Sequence, residues 1–247
     1  MNSILITGCN RGLGLGLVKQ LLNSNKPAKH IFATCRNPDK AQELNELKAK
    51  HNNLHIFPLD VSNYDSFDNL VQQIDEIVKD DGLNVLLNNA GVAPRSTRLN
   101  FAKDTDLRET FEINAIAPVM LTKAFIPLLK KASSANESQP MGVQRATILN
   151  MSSLMGSIED NGQGAAYAYR MSKAALNMAT KSMSIDFKND GILCVTMHPG
   201  WVRTDMGGTN APMQIEDACK KMLQTILSLN ETHNGTFVRY DGALLKW

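Results

Sequence analysis

Tyr169 and Lys173 stand four residues apart in a stretch that reads as helix, so their side chains share one face. A tyrosine ordinarily titrates near pH ~10, and bringing it close to neutrality takes about 4 kcal/mol of preference for the phenolate. One ammonium at roughly 4 Å, in an effective dielectric of about 20, supplies about that much. The pair is therefore capable of general acid and base work. The spacing alone is weak, since Tyr-x-x-x-Lys arises readily by chance. Ser152 and Ser153 strengthen it, because they follow an apolar strand-like run at the edge where open α/β sheets place their ligands. A serine hydroxyl there could donate to a substrate carbonyl oxygen, with capping or turn duty as the ordinary alternative. Tyr167 is excluded from the same role, because the residue four positions on is Met171.

Further upstream, Pro118 lacks the N–H that would bond the carbonyl four residues earlier, which belongs to Asn114. If this stretch is helical, that carbonyl is free to hold a water that could link Lys173 to solvent as a proton relay. A break made for packing reasons alone is the alternative.

A second chemistry sits near the N-terminus, in Thr7-Gly8-Cys9-Asn10-Arg11-Gly12-Leu13-Gly14. These glycines lie between a strand and a helix, where the backbone must turn tightly and free N–H groups at a helix N-terminus can receive a pyrophosphate. The spacing departs from G-x-G-x-x-G, and a tight turn with nothing bound is the alternative. A dinucleotide site selective for NAD carries an acid near the end of its second strand, yet residues 31–37 contain none. Arg36 and Arg11 could instead clamp a 2′-phosphate, which points to NADPH.

The elements that must position these groups follow from the apolar period. Strand-like runs cover residues 3–7, 30–35, 54–59, 83–87, 146–151, 192–198 and 236–239. Helix-like stripes lie between them, the cleanest being Phe67, Leu70, Val71, Ile74, Ile77 and Val78, with Ser62 as its expected cap. Helical stretches are also expected over 104–131, 167–188 and 215–229, and residues 132–145 read as an exposed loop. The alternation implies one α/β domain over residues 1–247, a Rossmann-type doubly wound parallel sheet of about seven strands with helices on both faces.

Composition narrows the function. With 26 basic against 24 acidic residues the net charge is +2, and basic runs are no longer than pairs, so nucleic acid or an anionic membrane is not an expected partner. Four scattered cysteines suit a reducing compartment, and the first strand begins too early to leave room for a signal peptide, so a cytoplasmic protein is expected. No apolar run reads as membrane-spanning. His51 and His55 have no carboxylate or cysteine partner nearby in sequence, and no metal is assigned.

Taken together, the chain resembles the short-chain dehydrogenase/reductase family over essentially its whole length. The turn at Thr7 to Gly14, Asp60-Val61, Asn88-Asn89-Ala90-Gly91, the tetrad Asn114, Ser153, Tyr169 and Lys173, and Pro199-Gly200 appear in family order. Arg11, Arg36 and the ending Tyr240 to Trp247 are most similar to the sniffer-type carbonyl reductases. The resemblance implies that Tyr169 protonates the carbonyl oxygen, Ser153 positions that carbonyl, Lys173 lowers the tyrosine pKa and bonds the nicotinamide ribose, and Asn114 holds the relay water. It implies an NADP(H) site built from Gly8, Asn10, Arg11, Gly12, Leu13, Gly14, Arg36, Asp60, Val61, Asn88, Ala90 and Gly91, with Pro199, Gly200, Val202 and Thr204 at the nicotinamide end.

Ser153 and Tyr169 are 16 positions apart, more than is usual in the family, with residues 158–165 as a small insertion. Ser152 thus stays open as an alternative to Ser153, and Asp160, Asn161 and Gln163 fall near the mouth of the site. Residues 206–213 have the composition of a mobile lid, with Trp201, Met206 and Met213 as an adaptable apolar wall or as core fillers. A second loop, 93–99, carries Arg95 and Arg98, which read as solvated charges. The expected activity is reduction of a small-molecule aldehyde, ketone or quinone. The competing readings are an NAD-dependent alcohol or sterol dehydrogenase and a non-catalytic dinucleotide sensor. A homodimer through the helices at 104–131 and 167–188 is also expected from the resemblance.

Overall fold

The computed structural model describes residues 1–95 and 98–247; Ser96 and Thr97, in the 93–99 loop considered above, lie outside the described residues. Its centre is one sheet built from β1 (Ser3–Ile6), β2 (His30–Cys35), β3 (Leu54–Pro58), β4 (Val85–Asn88), β5 (Thr147–Met151), β6 (Leu193–His198), β7 (Phe237–Arg239) and β8 (Leu244–Leu245). The spatial order is β3-β2-β1-β4-β5-β6-β7-β8. The first seven strands pair in parallel and β8 joins β7 antiparallel. Eight strands are thus present where about seven were expected, because a two-residue strand is too short to leave a period in the sequence. It returns through a turn at Gly242 (φ +87°), with Arg239 N–H donating to the Ala243 carbonyl at 2.7 Å.

Strands covered on both faces must be apolar at nearly every position, and β1, β4 and β5 are buried throughout. On one face α1 (Gly12–Leu22), α2 (Gln42–Lys50) and α7 (Ile215–Ser228) bury Leu17, Val18, Leu44, Met222 and Ile226. On the other, α3 (Phe67–Val78), α5 (Ala117–Ala135) and α6 (Tyr167–Asp186) bury Phe67, Ile74, Leu121, Phe125 and Met183. Between β1 and β4 the strand order reverses, which opens a crevice at the carboxyl ends.

The expected helix at 104–131 is one run from Asp104 to Ala135, made of α4 (Asp104–Phe111), a π turn (Glu112–Ile116) and α5. It is long and apolar enough by composition to cross a membrane, contrary to the reading above. Half of its apolar window is buried against the protein, so the composition serves core packing. Pro118 falls in the first turn of α5, where its missing N–H is absorbed by the wider turn before it, with Ala117 N–H reaching back five residues to the Glu112 carbonyl. The chain therefore widens where a break was the alternative.

Two other expectations are corrected. Residues 132–145 are not an exposed loop throughout, since the helix continues to Ala135 and Ala132, Ser133 and Val143 are buried. Ser133 Oγ donates to the Asp190 carbonyl at 2.5 Å and accepts from Arg145 Nε at 2.8 Å, so the segment ties the sheet's amino end together. Ser62 does not cap α3; a short 3-10 turn (Tyr64–Ser66) intervenes, and Ser62 bonds the Asp60 carboxylate instead.

The packing of α1 on α7 depends on Gly16, where an added Cβ would come within 2.6 Å of Cys219 Sγ and 2.7 Å of Ile215 Cγ2. Gly16→Ala is expected to cost about 1–3 kcal/mol of stability. In a double-mutant cycle read by urea unfolding, Cys219→Ala should recover part of that loss; strict additivity would contradict this contact.

Candidate active site

At the crevice, the loop after β4 holds the glycine turn after β1. Asn89 Nδ2 donates to the carbonyls of Thr7 (2.8 Å) and Gly8 (3.3 Å), while the N–H groups of Asn89 and Ala90 donate to Thr7 Oγ1 at 3.0 and 2.9 Å. Gly8 has φ +72°, and a Cβ on Gly14 would sit 2.2 Å from the Gly8 carbonyl oxygen. Only glycine permits this turn. Above it lies a cleft of about 750 Å³. Gly8, Asn10, Arg11, Gly12, Leu13 and Gly14 line it from below, Arg36, Asp60 and Val61 from the β2–β3 side, and Ala90, Gly91 and Thr204 from the other. A nicotinamide dinucleotide fits such a wall, since the backbone has no side chain in the way and α1 opens toward the cleft.

Sequence reasoning missed Asn89 as the residue that ties the two loops, although it stood inside a recognised motif. Asn88, expected in the cofactor site, turns its side chain inward, donating to Asn150 Oδ1 (2.8 Å) and Thr122 Oγ1 (3.3 Å). This follows from strand alternation, which sends neighbouring side chains to opposite faces.

Arg11 and Arg36 are both exposed on the rim. Arg11 Nη1 pairs with Asp205 Oδ2 at 2.7 Å, which bridges the glycine turn to the loop after β6. Asp60 accepts from Ser62 Oγ (2.7 Å) and Ser62 N–H (3.0 Å), and these bonds, with a smaller contribution from the Arg36 charge, hold its carboxyl below the usual range. Asp60 is therefore a carboxylate at neutral pH.

The four expected tetrad residues come from three places: Asn114 from the π turn, Ser153 from just after β5, and Tyr169 and Lys173 from α6. Lys173 is 4% exposed, and its Nζ donates to the Met151 carbonyl at the end of β5 at 2.8 Å. Burial pushes its pKa down to about 8. The ammonium lies 5.7 Å from the centre of the Tyr169 ring. Burial raises the Tyr169 phenol above its ordinary value, and the nearby Ser153 hydroxyl pulls the other way. Lys173 is bonded to the β5 main chain, and desolvation is the leading influence on the phenol.

The two serines differ in their partners. Ser152 Oγ donates to Asn177 Oδ1 at 2.6 Å in the interior, whereas Ser153 faces Tyr169 and accepts the Met155 N–H at 3.2 Å. Asn114, fully buried on the π turn, accepts the Val92 N–H through Oδ1 and donates to the Val92 carbonyl through Nδ2, both at 2.8 Å; Nδ2 also reaches Ser172 Oγ at 3.1 Å. Its side chain thus joins the β4 loop to α6.

After β6, Pro199 and Gly200 are partly exposed, and Val202 is buried and bridges to Met213. Trp201 and Met206 are exposed, with Met206 on the cleft, while Met213 packs inward near Gly200. The 206–213 loop is more tightly bonded than its composition suggests. Trp201 Nε1 donates to the Gly207 carbonyl (2.8 Å), Gly207 N–H to Thr204 Oγ1 (3.0 Å) and Arg203 Nε to the Ala211 carbonyl (2.6 Å). Asp160, Asn161 and Gln163 are exposed in the inserted segment. His55 meets His30 of the neighbouring strand, with ring nitrogens 3.3 Å apart, and burial lowers the pKa of both. No cluster of three metal-ligating side chains occurs among the described residues.

Residues 2–215 match the family described as short chain dehydrogenase. The chain belongs to that family and is an oxidoreductase. It is similar over its whole length to the carbonyl reductase Sniffer of D. melanogaster, at 56% identity and a TM-score of 0.99 with 100% of each chain covered. An NADPH-bound carbonyl reductase from chicken fatty liver is 41% identical, with a TM-score of 0.94 over 100% of this chain and 99% of the other. The C-signal of Myxococcus xanthus is 41% identical over 165 residues, 67% of this chain and 93% of that protein.

A lysine whose folded pKa is near 8 against 10.5 when free carries a burial cost of about 3 kcal/mol while it is charged. That cost is full below about pH 8 and fades as pH rises toward 10.5, so this group makes stability rise with pH in that window. Lys173→Met is expected to be about 1–3 kcal/mol more stable than wild type at pH 7 and to lose the rise above pH 8. Equal or lower stability by chemical unfolding at pH 7 would contradict the buried charge.

Proposed function

We propose that the protein is an NADPH-dependent carbonyl reductase that reduces an aldehyde, ketone or quinone, with Tyr169 as general acid. The observation that carries the reading is the convergence of Tyr169, Ser153 and Lys173 at the carboxyl end of β5, beside a glycine-floored cleft. Likeness to two carbonyl reductases over the whole chain supports it, one of them with NADPH bound.

The glycine turn from Gly8 to Gly14 would hold the pyrophosphate, Asp60 and Val61 the adenine, and Ala90, Gly91 and Thr204 the wall toward the nicotinamide. Arg36, with no acid between residues 31 and 37, would meet a 2′-phosphate. Arg11 would join it by exchanging Asp205 for the phosphate. When bound, the dinucleotide supplies a hydride.

The chain's own residues supply the proton and the orientation. A phenol whose pKa lies above its ordinary value stays protonated at neutral pH, which suits donation to a carbonyl oxygen. Ser153 would hold that oxygen against the phenol. As charge develops on the Tyr169 oxygen, the fixed ammonium of Lys173 is already in place to stabilise it. Asn114 would serve the relay, since Pro118 offers no N–H to its carbonyl, and a water there could return a proton toward Lys173. Trp201 and Met206 would wall the substrate side.

Two coarser assignments accompany this reading. Met171, Met178 and Ile185 are exposed at seven-residue spacing along α6, and Ile116 is exposed on the π turn, which supports a homodimer through these helices. The four cysteines are free and buried, which suits the cytoplasm.

Turnover of a panel of aldehydes, ketones and ortho-quinones is expected to prefer NADPH to NADH. Tyr169→Phe should lower kcat by about 10²–10⁴-fold with NADPH binding retained, and Arg36→Asp should shift preference toward NADH. NADPH binding without turnover of any compound would contradict the catalytic reading. Light scattering at assay concentration should give a dimer mass; a monomer mass would refute the assembly.

A further inference from the structure

We propose that Arg170 is a positioning residue for Tyr169, closing the long connection between Ser153 and Tyr169 at its base; the inference rests on the reading of Tyr169 as proton donor. The connection needs such a device. Residues 158–164 are exposed or nearly so, Ile158 is 79% exposed, and an inserted segment of this kind has little core packing to hold its two ends at a set distance.

The Arg170 guanidinium bonds both ends. Its Nε donates to the Gly164 carbonyl at 3.0 Å and its Nη1 to the Met155 carbonyl at 3.4 Å. Met155 is also the residue whose N–H bonds Ser153 Oγ at 3.2 Å. A short bonded path therefore runs from the Ser153 hydroxyl through Met155 to Arg170, whose covalent neighbour is Tyr169. It bypasses the loop. The Arg170 N–H, donating to the Ala166 carbonyl at 2.9 Å, makes the same residue part of the first turn of the catalytic helix.

The backbone at the return end is consistent with a point held under load. Gly164, Ala165 and Ala166 have φ of +64°, +55° and +49° in succession, and the left-handed region is costly for the two alanines. Unbraced, this turn would relax and carry the start of α6 with it. The far end of the loop is tied separately, since Glu159 N–H donates to the Trp247 carbonyl at 3.1 Å and its carboxylate pairs with Lys246. Those contacts tie the start of the insertion, and Asn177 Nδ2 holds the Gly156 carbonyl to α6 at 3.3 Å, so among these bonds it is Arg170 that brings in the return end at Gly164. A planar fork with donors in two directions can hold both carbonyls; a lysine ammonium at the end of a flexible stem cannot do so in a fixed geometry.

The test is steady-state kinetics of Arg170→Gln and Arg170→Lys beside Tyr169→Phe, with NADPH dissociation constants from fluorescence. Misplacement of the proton donor by about 1 Å predicts a kcat loss of about 10–100-fold in both arginine variants, with NADPH affinity within twofold of wild type. In the Arg170→Gln background, excising residues 160–163 should recover part of kcat, because a shorter connection restores the spacing by itself. Wild-type kcat in Arg170→Gln, or a loss matched by equal loss of NADPH affinity, would overturn the inference. An inactive Tyr169→Phe with a fully active Arg170→Gln defeats this inference alone, whereas an active Tyr169→Phe defeats the reading beneath it.

Discussion

A single ammonium with almost no access to water sets the terms for the rest of the site. Lys173 Nζ reaches one protein acceptor among the described residues, the Met151 carbonyl at the end of a central strand. A buried cation is expensive, so its surroundings must be fixed before it can be useful. Gly91 leaves the space: a Cβ there would stand 3.6 Å from Nζ and 3.1 Å from Asn114 Oδ1. The same crowding explains why the loop after β4 runs as main chain past both side chains. A charge held this way needs no reorganisation when negative charge develops beside it, which is where preorganised electrostatics contributes most.

The π turn is the second constraint. Asn114 must face the Val92 main chain and Ser172 at once, and the five-residue turn that absorbs Pro118 places it there. Through Asn114 the loop after β4 is joined to α6, and through Asn89 it is joined to the glycine turn. The cleft floor and α6 therefore share one scaffold, and motion of either is opposed by the other.

Much of this was legible in the amino-acid sequence. β2 has the expected bounds, and the doubly wound parallel sheet follows from the alternation of runs and stripes. Tyr169, Lys173, Ser153 and Asn114 were singled out and converge. What was not legible depends on partners distant in sequence. Ser62 is a local exception: it looked like a helix cap, but a 3-10 turn separates it from α3 and it bonds Asp60 two residues back. Ser152 and Ser153 could be separated only by Asn177, which claims the first. Asn88 and Asn89 are adjacent and alike, yet strand geometry sends one inward and leaves the other to tie two loops. A spacing of four residues likewise says nothing of where the lysine points, and its bond to the Met151 carbonyl appears only in three dimensions.

The central claim is that Lys173 is a buried ammonium with a pKa near neutrality, and NMR titration of lysine 13Cε resonances tests it most directly, with Lys173→Met assigning the signal. The account predicts a midpoint near 8 for Lys173, well separated from the surface lysines. A midpoint at the ordinary value of 10.5, shared with the others, would contradict it.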